Sequence, residues 1–315
     1  MTKLRSFICG IKGTQLSIKE INFLKKFRPW GIILFSRNIK TIQQTQLLTK
    51  NIKMLFNNNN YPILIDEEGG RVSRLSKFID STNFSAEFFG KLYLKDKKKF
   101  SYFFEIYINQ ISYLLNLLGI NINTVPVLDL RRKKSHNIIG NRSYSFNKKV
   151  VSRIGDLCVS NFHKNNIFTI VKHIPGHGLA KVDSHKNLPK IDNKYSYLSK
   201  NDFFTFMNKN NSFAMTGHLI YSKLDPDNSV THSQKVIKII RKKIGFNNLI
   251  ISDDISMKAL KYSISENTKK AFTAGCNLVL HCNGNLREMT QVAKNSPFIN
   301  NFIVKKTKHF YSIIR

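Results

Sequence analysis

The chain has 315 residues, and 42% of them are hydrophobic, which is enough for a sizeable core and excludes a disordered protein. Its 51 basic residues outnumber 19 acidic ones, and the net charge of +32 alone would indicate a nucleic acid or an anionic membrane as partner. Because the lysines are scattered along the whole chain, often beside Asn, Ile and Phe, we favour compositional bias over nucleic-acid binding.

The four cysteines form no CxxC pair, and three lie in apolar runs, which predicts buried free thiols rather than disulfides or a zinc site. The first ten residues are too short for a signal peptide and contain Lys3 and Arg5. No apolar run approaches the roughly 20 residues that a transmembrane helix needs. We therefore expect a cytoplasmic protein with no membrane partner.

Eight short apolar runs alternate with longer helical patterns along the chain. Continuous apolar runs of this length are typical of parallel strands that are buried on both faces. The predicted strands are 4–11, 31–35, 61–65, 122–128, 168–172, 213–216, 248–251 and 277–281.

Helix signals lie between these strands. Capping-box patterns at Ser17 and Thr41 predict the first two helices, and an amphipathic stretch predicts one long helix over 88–118 that ends at Gly119. The later predicted helices cover 150–164, 199–207 with Ser199 as N-cap, 234–244 with Ser233 as N-cap, 266–274 and the tail after 286.

Eight strand–helix units indicate an α/β fold, a TIM (β/α)₈ barrel, formed by one domain over residues 1–315. A doubly wound open sheet is the structural alternative, and the regular repetition argues against it.

Polar clusters follow predicted strands two to eight, at the barrel end where such enzymes carry their active sites. The clusters are 36–38, 66–71, 129 with 141–143, 172–178 with 183–185, 217–218, 252–254 and 281–283. A single cluster could be an ordinary solvated loop, but their convergence on one barrel face predicts an active site.

Four of these segments resemble the motifs of glycoside hydrolase family 3, and the resemblance runs from strand one to strand eight. More narrowly, they resemble its single-domain bacterial β-N-acetylhexosaminidases of peptidoglycan recycling. The segments are IDEEGGRV at 65–72, KHIPGHG at 172–178, DSH at 183–185 and ISDDISM at 251–257. The chain departs from the family pattern at Asn277, where an acidic residue is usual, and in the segment NRSYS at 141–145, where a glycine is expected near Ser145.

The resemblance implies a retaining, exo-acting β-N-acetylglucosaminidase that needs no cofactor or metal. Asp253 would be the nucleophile, and an N-cap for the next helix is its structural alternative, for which Asp254 is the better candidate. Asp183 and His185 would form the acid/base pair, because a carboxylate that orients an imidazole leaves the other nitrogen free to exchange a proton. A loop hydrogen bond is the alternative for that pair.

The resemblance also implies a set of sugar-binding residues, in which a carboxylate accepts hydrogen bonds from sugar hydroxyls and cationic groups donate them. This set is Asp66, Arg74, Arg142, Lys172 and His173.

Some neighbouring residues leave alternatives open. Arg71 lies on the same turn as Arg74 and could form a salt bridge with Asp66. Met257 is expected near the acetamido group, although core packing is the ordinary role of a lone methionine.

Four further residues are considered on general grounds. We interpret His177 as structural. Glu67 and Glu68 should point apart, as neighbours on an extended chain do, so they cannot easily share one substrate. His218 could line the pocket or lie in the core.

Three other functions remain open. Histidines at strand ends would suit a metal-dependent barrel hydrolase, and the charge alone would suit a basic nucleic-acid-binding protein. A β-glucosidase of the same family would usually carry a second domain. With the family resemblance, we expect a small N-acetylglucosamine-containing muropeptide as substrate, no nucleic-acid partner, and a monomer.

Overall fold

Eight parallel strands close into a barrel in the computed structural model, which describes residues 4–133, 137–182 and 187–314. The strands are β1 (Arg5–Gly10), β2 (Pro29–Leu34), β3 (Ile63–Ile65), β4 (Ile122–Asn123), β5 (Phe168–Ile174), β6 (Lys190–Ile191), β7 (Phe213–Thr216), β8 (Ile220–Tyr221), β9 (Ile250–Asp254) and β10 (Leu278–His281). The closed order is β1, β10, β9, β7, β5, β4, β3, β2, and β6 pairs with β8 outside the barrel. The predicted TIM barrel is therefore confirmed.

Helices surround the barrel on its outside. They are α1 (Ile18–Phe27), α2 (Ile42–Leu55), α3 (Ala86–Lys95), α4 (Lys97–Leu117), α5 (Lys148–Lys164), α6 (Tyr195–Lys200), α7 (Gln234–Ile239), α8 (Ile264–Ala274), α9 (Leu286–Asn295) and α10 (Asn301–Ile313). A π-helical turn (Ile240–Ile244) extends α7 to Gly245, whose φ of 76° ends it. Short 3₁₀ turns lie at Ser36–Asn38, Gly140–Arg142, Phe203–Phe206 and Val230–His232.

Alternation along the strands divides the core into two layers. On β1, Ile8 points into the barrel interior, while Phe7 and Cys9 belong to the layer between strands and helices. The register supports this arrangement, with Ile8 beside Gly31 and Leu64 beside Ile122. The barrel strands are thus buried on both faces, which explains their continuous apolar sequences.

The capping signals correctly predicted three helix starts, those of α1, α2 and α7. The Ser17 side chain accepts from the Glu20 backbone N–H and the Glu20 carboxylate accepts in return, as a capping box requires. Ser233 caps α7 through the Val236 N–H. Thr41 caps α2 through the Gln44 N–H, but the Gln44 side chain accepts from Lys40 instead of Thr41, so this box is only half formed.

Two helix predictions are wrong. The stretch predicted as one helix over 88–118 is two, because Asp96 adopts extended backbone and its carboxylate caps α4 by accepting from Lys98 and Lys99. Ser199 does not begin a helix, since α6 starts at Tyr195 and already contains it.

The fourth predicted strand is much shorter than expected. Only Ile122–Asn123 pairs as a strand, because Pro126 has no N–H for the ladder. The chain beyond it forms an isolated bridge between Val127 and Lys172 and then the long loop toward α5. None of the helices formed by the described residues is long and apolar enough to cross a membrane.

Candidate active site

A pocket lies at the carboxyl ends of the barrel strands. Asp66 follows β3, Lys172 and His173 lie in β5, Asp253 lies in β9, and Arg142 reaches in from the loop before α5. The other lining residues are Ile33, Phe35, Thr124, Ile138, Ile139, His177, Met215, Leu280 and Cys282. The barrel thus brings together five of the residues predicted for the site.

Asp66 is held by cations on both oxygens. Its Oδ1 accepts from Lys172 Nζ and from Thr124 Oγ1 (2.6 Å), and its Oδ2 accepts from Arg74 Nη2 at 2.9 Å. Burial alone would raise the pKa of Asp66, but Lys172 and Arg74 hold it well below its usual range. Asp66 is therefore an ionised acceptor at the pocket, and Arg74 borders it without lining the pocket.

Arg71 has a different role from Arg74. Its guanidinium donates to the carbonyl oxygens of Ile138 (2.6 Å) and Ile139 (3.3 Å). Because both isoleucines line the pocket, Arg71 holds the pocket wall, whereas Arg74 is the partner of Asp66.

Glu68 is a residue of the site that the sequence analysis missed. Its carboxylate accepts from Arg142 Nε and Nη2, both at 2.7 Å, and lies 2.6 Å from Lys172 Nζ. Burial alone would lower the pKa of Arg142, but Glu68 raises it above the ordinary arginine value. The signal was the period of two in an extended chain, which places Asp66 and Glu68 on the same side.

Glu67 points the other way, as predicted. Its Oε2 accepts from the backbone N–H of Arg74 and of Leu75 (3.0 Å) and from Ser73 Oγ (3.2 Å). Glu67 therefore holds the turn that follows β3 and contributes no charge to the pocket lining.

His173 is oriented by a buried carboxylate. Its Nδ1 lies 2.6 Å from Asp129 Oδ2, and because an ionised carboxylate only accepts, Nδ1 carries the proton. Burial alone would raise the pKa of Asp129, but His173 lowers it. Asp129 therefore fixes the His173 ring so that Nε2 is the nitrogen left for a ligand.

His177 is anchored at the same carboxylate through its backbone N–H, 2.7 Å from Asp129 Oδ1. Its ring lines the pocket, and burial, together with His173, lowers its pKa to about 4. The backbone anchor agrees with a structural role. Gly178 allows the close approach of this loop, since a Cβ there would lie 2.1 Å from the Leu130 carbonyl oxygen.

The two aspartates at the end of β9 have separate environments. Asp254 Oδ1 accepts from the Ser256 N–H (3.0 Å) and the Cys282 N–H (3.2 Å), so Asp254 caps the following turn. Asp253 accepts from the Asp254 N–H (2.8 Å) and faces the pocket. Burial alone would raise the pKa of Asp253, but His218 and His173 lower it, with smaller contributions from that N–H and from Lys172.

His218 and Met257 lie outside the pocket lining. His218 is fully buried, with Nδ1 at 2.8 Å from Thr231 Oγ1 and Nε2 at 3.0 Å from the Asp254 carbonyl oxygen, so it is a core histidine with both nitrogens bonded. Met257 is half-buried in the turn after β9, where its N–H donates to the Asp254 carbonyl (3.1 Å).

Asp183 and His185 lie outside the described residues, so their predicted pairing stays a prediction. Within the described ranges, the side chains of His, Cys, Asp and Glu form no group of three or more that could hold a metal ion.

Comparison with known proteins identifies the family of the chain. The model of the glycosyl hydrolase family 3 N-terminal domain matches residues 10–312. The chain is 34% identical over 264 residues to the β-hexosaminidase of Neisseria meningitidis, covering 80% of this chain and 71% of that protein. It is 29% identical to the β-hexosaminidase of Methylobacillus flagellatus over 287 residues, 89% of this chain and 81% of that one.

A solved structure shares the fold at similar coverage. NagZ from Neisseria gonorrhoeae, in complex with N-trifluoroacetyl-D-glucosamine, superposes with a TM-score of 0.85 and 27% identity over 98% of this chain and 90% of that one. The resemblance inferred from the four sequence motifs is therefore confirmed, and the chain is a glycoside hydrolase that belongs to glycosyl hydrolase family 3.

Proposed function

We propose that this hydrolase is an exo-acting β-N-acetylglucosaminidase that retains the anomeric configuration and uses Asp253 as its nucleophile. The observation that carries the proposal is the environment of Asp253: a carboxylate kept ionised inside a pocket that also contains the charged groups around Asp66. The similar proteins are β-hexosaminidases, and one solved relative binds a derivative of glucosamine.

The sugar would be held before it reacts. Asp66 and His173 Nε2 would accept from sugar hydroxyls, while Arg142 and Lys172 would donate to sugar oxygens, the lysine by exchanging one of its present partners. Arg74 would keep Asp66 ionised. Met257 remains the proposed neighbour of the acetamido group, from just outside the present lining.

The reaction would then proceed in two steps. Asp253 attacks the anomeric carbon, the glycosidic bond breaks, and the aglycone leaves after it is protonated. Water then attacks the glycosyl ester and releases the sugar and the free carboxylate. Each step inverts the anomeric centre, so the net result is retention.

His185 would supply and recover the proton, with Asp183 as its orienting partner. Its deprotonated form is neutral, so this base would not place a second anion beside Asp253.

The shape of the pocket bears on the natural substrate. Strand ends and the Ile138–Ile139 wall enclose the pocket, which suits a terminal sugar and exo action. We propose a peptidoglycan-derived muropeptide, and so a role in cell-wall recycling that would affect wall biogenesis, cell shape and division.

We also propose that the enzyme is cytoplasmic. All four cysteines are free thiols, which suits a reducing cytoplasm. We further propose that the enzyme acts as a monomer.

The proposal can be tested with nitrophenyl β-N-acetylglucosaminide as substrate. We expect turnover without added metal, the β-anomer as first product in an NMR time course, and a fluorosugar inactivator attached to Asp253 in a peptide map. The α-anomer first would contradict retention. Recovery of lost activity only on adding zinc after chelation would favour a metal-dependent hydrolase, and faster turnover of the β-glucoside would favour a β-glucosidase.

A second outcome concerns the mechanism alone. A 2-acetamido sugar can act as its own nucleophile through its carbonyl oxygen. If the product is the β-anomer but no inactivator attaches to Asp253, that substrate-assisted route would replace the proposed one.

A further inference from the structure

A network of four charges lies at and beneath the pocket and consists of Asp66, Glu68, Arg142 and Lys172. The exposed fractions of their side chains are 21%, 4%, 11% and 2%, so three of the four are almost fully buried. Asp66, Arg142 and Lys172 line the pocket, whereas Glu68 lies behind them and is not among the lining residues. Glu68 contacts both cations of the network.

Glu68 determines which N–H groups of Arg142 remain to bind a ligand in the pocket. The Nε and Nη2 atoms of the guanidinium form a bidentate pair with Glu68, and Nη1 donates to the Ile138 carbonyl at 3.2 Å. A bidentate pair fixes the plane of the guanidinium as well as its position. The edge that Arg142 presents to the pocket therefore depends on Glu68.

Lys172 is positioned by the same carboxylate. An ammonium group has three donors, and the partners of Lys172 Nζ are Asp66, Thr124 Oγ1 (3.0 Å) and Glu68 (2.6 Å). Without Glu68, Arg142 and Lys172 would have Asp66 as their one remaining carboxylate within the network. Much less negative charge would then offset the repulsion between the two cations.

We infer that Glu68 is a positioning residue of the sugar subsite: it holds Arg142 and Lys172 in the geometry that binds the sugar without touching the sugar itself. The inference rests on the proposed function, because it assigns to both cations a role in sugar binding.

Glu67 provides a matched control. It is the adjacent carboxylate, it is also buried, and its hydrogen bonds go to two backbone N–H groups and a serine hydroxyl. A glutamine amide oxygen can still accept from those donors, whereas at position 68 the amide nitrogen would face a cation and the negative charge would be lost.

The experiment compares Glu68→Gln, Glu68→Asp and Glu67→Gln with the wild type. For each protein we would measure KM and kcat with the aryl N-acetylglucosaminide, the dissociation constant of free N-acetylglucosamine by calorimetry, and the midpoint of thermal unfolding. A fluorosugar inactivator would count the active sites, so that kcat refers to folded enzyme alone.

We expect Glu68→Gln to raise KM and the N-acetylglucosamine dissociation constant together, by about 30-fold or more, as expected when one partner of a buried charge pair is removed. The kcat per titrated site should change much less, because binding is lost in ground state and transition state alike. Glu67→Gln should keep both binding constants within about threefold.

Glu68→Asp keeps the charge but is one methylene shorter, so it should fold even if the glutamine variant does not, and it should still weaken binding measurably. A purely structural Glu68 would lower the unfolding midpoint and the count of active sites while both binding constants stayed unchanged. That outcome, in either Glu68 variant, would overturn the inference. If the wild type itself does not hydrolyse the substrate, the proposed function fails, whereas unchanged binding by Glu68 variants of an active enzyme refutes only the role of Glu68.

Discussion

The two ends of the barrel are built from the same eight strands but are filled by different kinds of side chain. At the amino-terminal end, α10 closes the barrel with apolar side chains, and the Phe310 ring lies 5.5 Å from that of Phe168 and 6.3 Å from that of Trp30. One polar contact there, Trp30 Nε1 to Thr307 Oγ1 (2.9 Å), satisfies the indole. At the carboxyl end, ionised groups such as Asp66 and Lys172 take the place of the aromatic rings.

This difference separates stability from function within one core. Apolar burial stabilises the fold at the closed end, where each large side chain contributes about 1.5–3 kcal/mol. Buried ion pairs contribute little net stability, because desolvation offsets much of their attraction. The charges at the open end are therefore better explained by the proposed sugar ligand than by the fold, and substitutions at the two ends should have different effects.

The largest effect is expected at the open end, on replacing Asp253. Asp253→Ala removes the proposed nucleophile and should lower kcat/KM by at least about 10⁴-fold, while the midpoint of thermal unfolding changes little. Asp156→Asn is a suitable control, because Asp156 is a half-exposed carboxylate paired with Lys209 away from the pocket. A residual activity of a tenth or more in Asp253→Ala would contradict the nucleophile assignment.

The next effect depends on the leaving group. His185→Ala should slow substrates with poor leaving groups by about 10²–10⁴-fold in kcat/KM, the usual range for general acid catalysis, and slow dinitrophenyl glycosides much less. Asp183→Ala should act in the same direction, because the imidazole loses its orientation and some basicity. An equal loss across a leaving-group series would mean that His185 is not the acid.

Substitutions at the closed end should change the free energy of unfolding but not the activity. Phe310→Ala removes a fully buried ring and should cost about 3–5 kcal/mol in the free energy of unfolding, measured by denaturant titration. Phe302→Ala on the same helix is the control, since Phe302 is 39% exposed and should cost much less. The kcat/KM per titrated site should stay near the wild-type value in both. A tenfold change in Phe310→Ala would show that the two ends are coupled.

The sequence predicts the barrel framework better than the site. Strand positions follow from apolar runs because both faces of each barrel strand are buried, and the starts of α1 and α7 follow from local capping signals that need no tertiary contact. The break at Asp96 was missed because the amphipathic period continues across it, although an aspartate can cap a new helix from within such a pattern.

At the site, the motifs identified five of the residues that line the pocket but not their partners. The bond between His173 and Asp129 and the pair formed by Glu68 with Arg142 join residues 44 and 74 positions apart, so no local pattern could reveal them. The same limit applied to Arg71 and Arg74, which lie on one turn and are distinguished only by what the fold places opposite each.

The smallest expected effect is a pH dependence of stability that both ends share. Burial lowers the pKa of His163 at the closed end and of His177 at the open end to about 4, and His232 behaves in the same way. The unfolded chain binds protons at these histidines below about pH 6.5, whereas the folded chain does not until about pH 4. Stability is therefore full above pH 6.5 and falls as the pH decreases toward 4.

Each of these histidines can contribute at most about 1.4 kcal/mol per pH unit within that window. His163 is the one to replace, because it lies away from the pocket, stacked on Phe168 at 5.2 Å and 3.1 Å from Thr169 Oγ1, with His309 nearby. In His163→Gln, the free energy of unfolding should fall less steeply between pH 7 and pH 5 than in the wild type, by up to the contribution of one histidine. An unchanged slope would mean that His163 takes up its proton in the folded protein, which its place between Phe168 and α10 argues against.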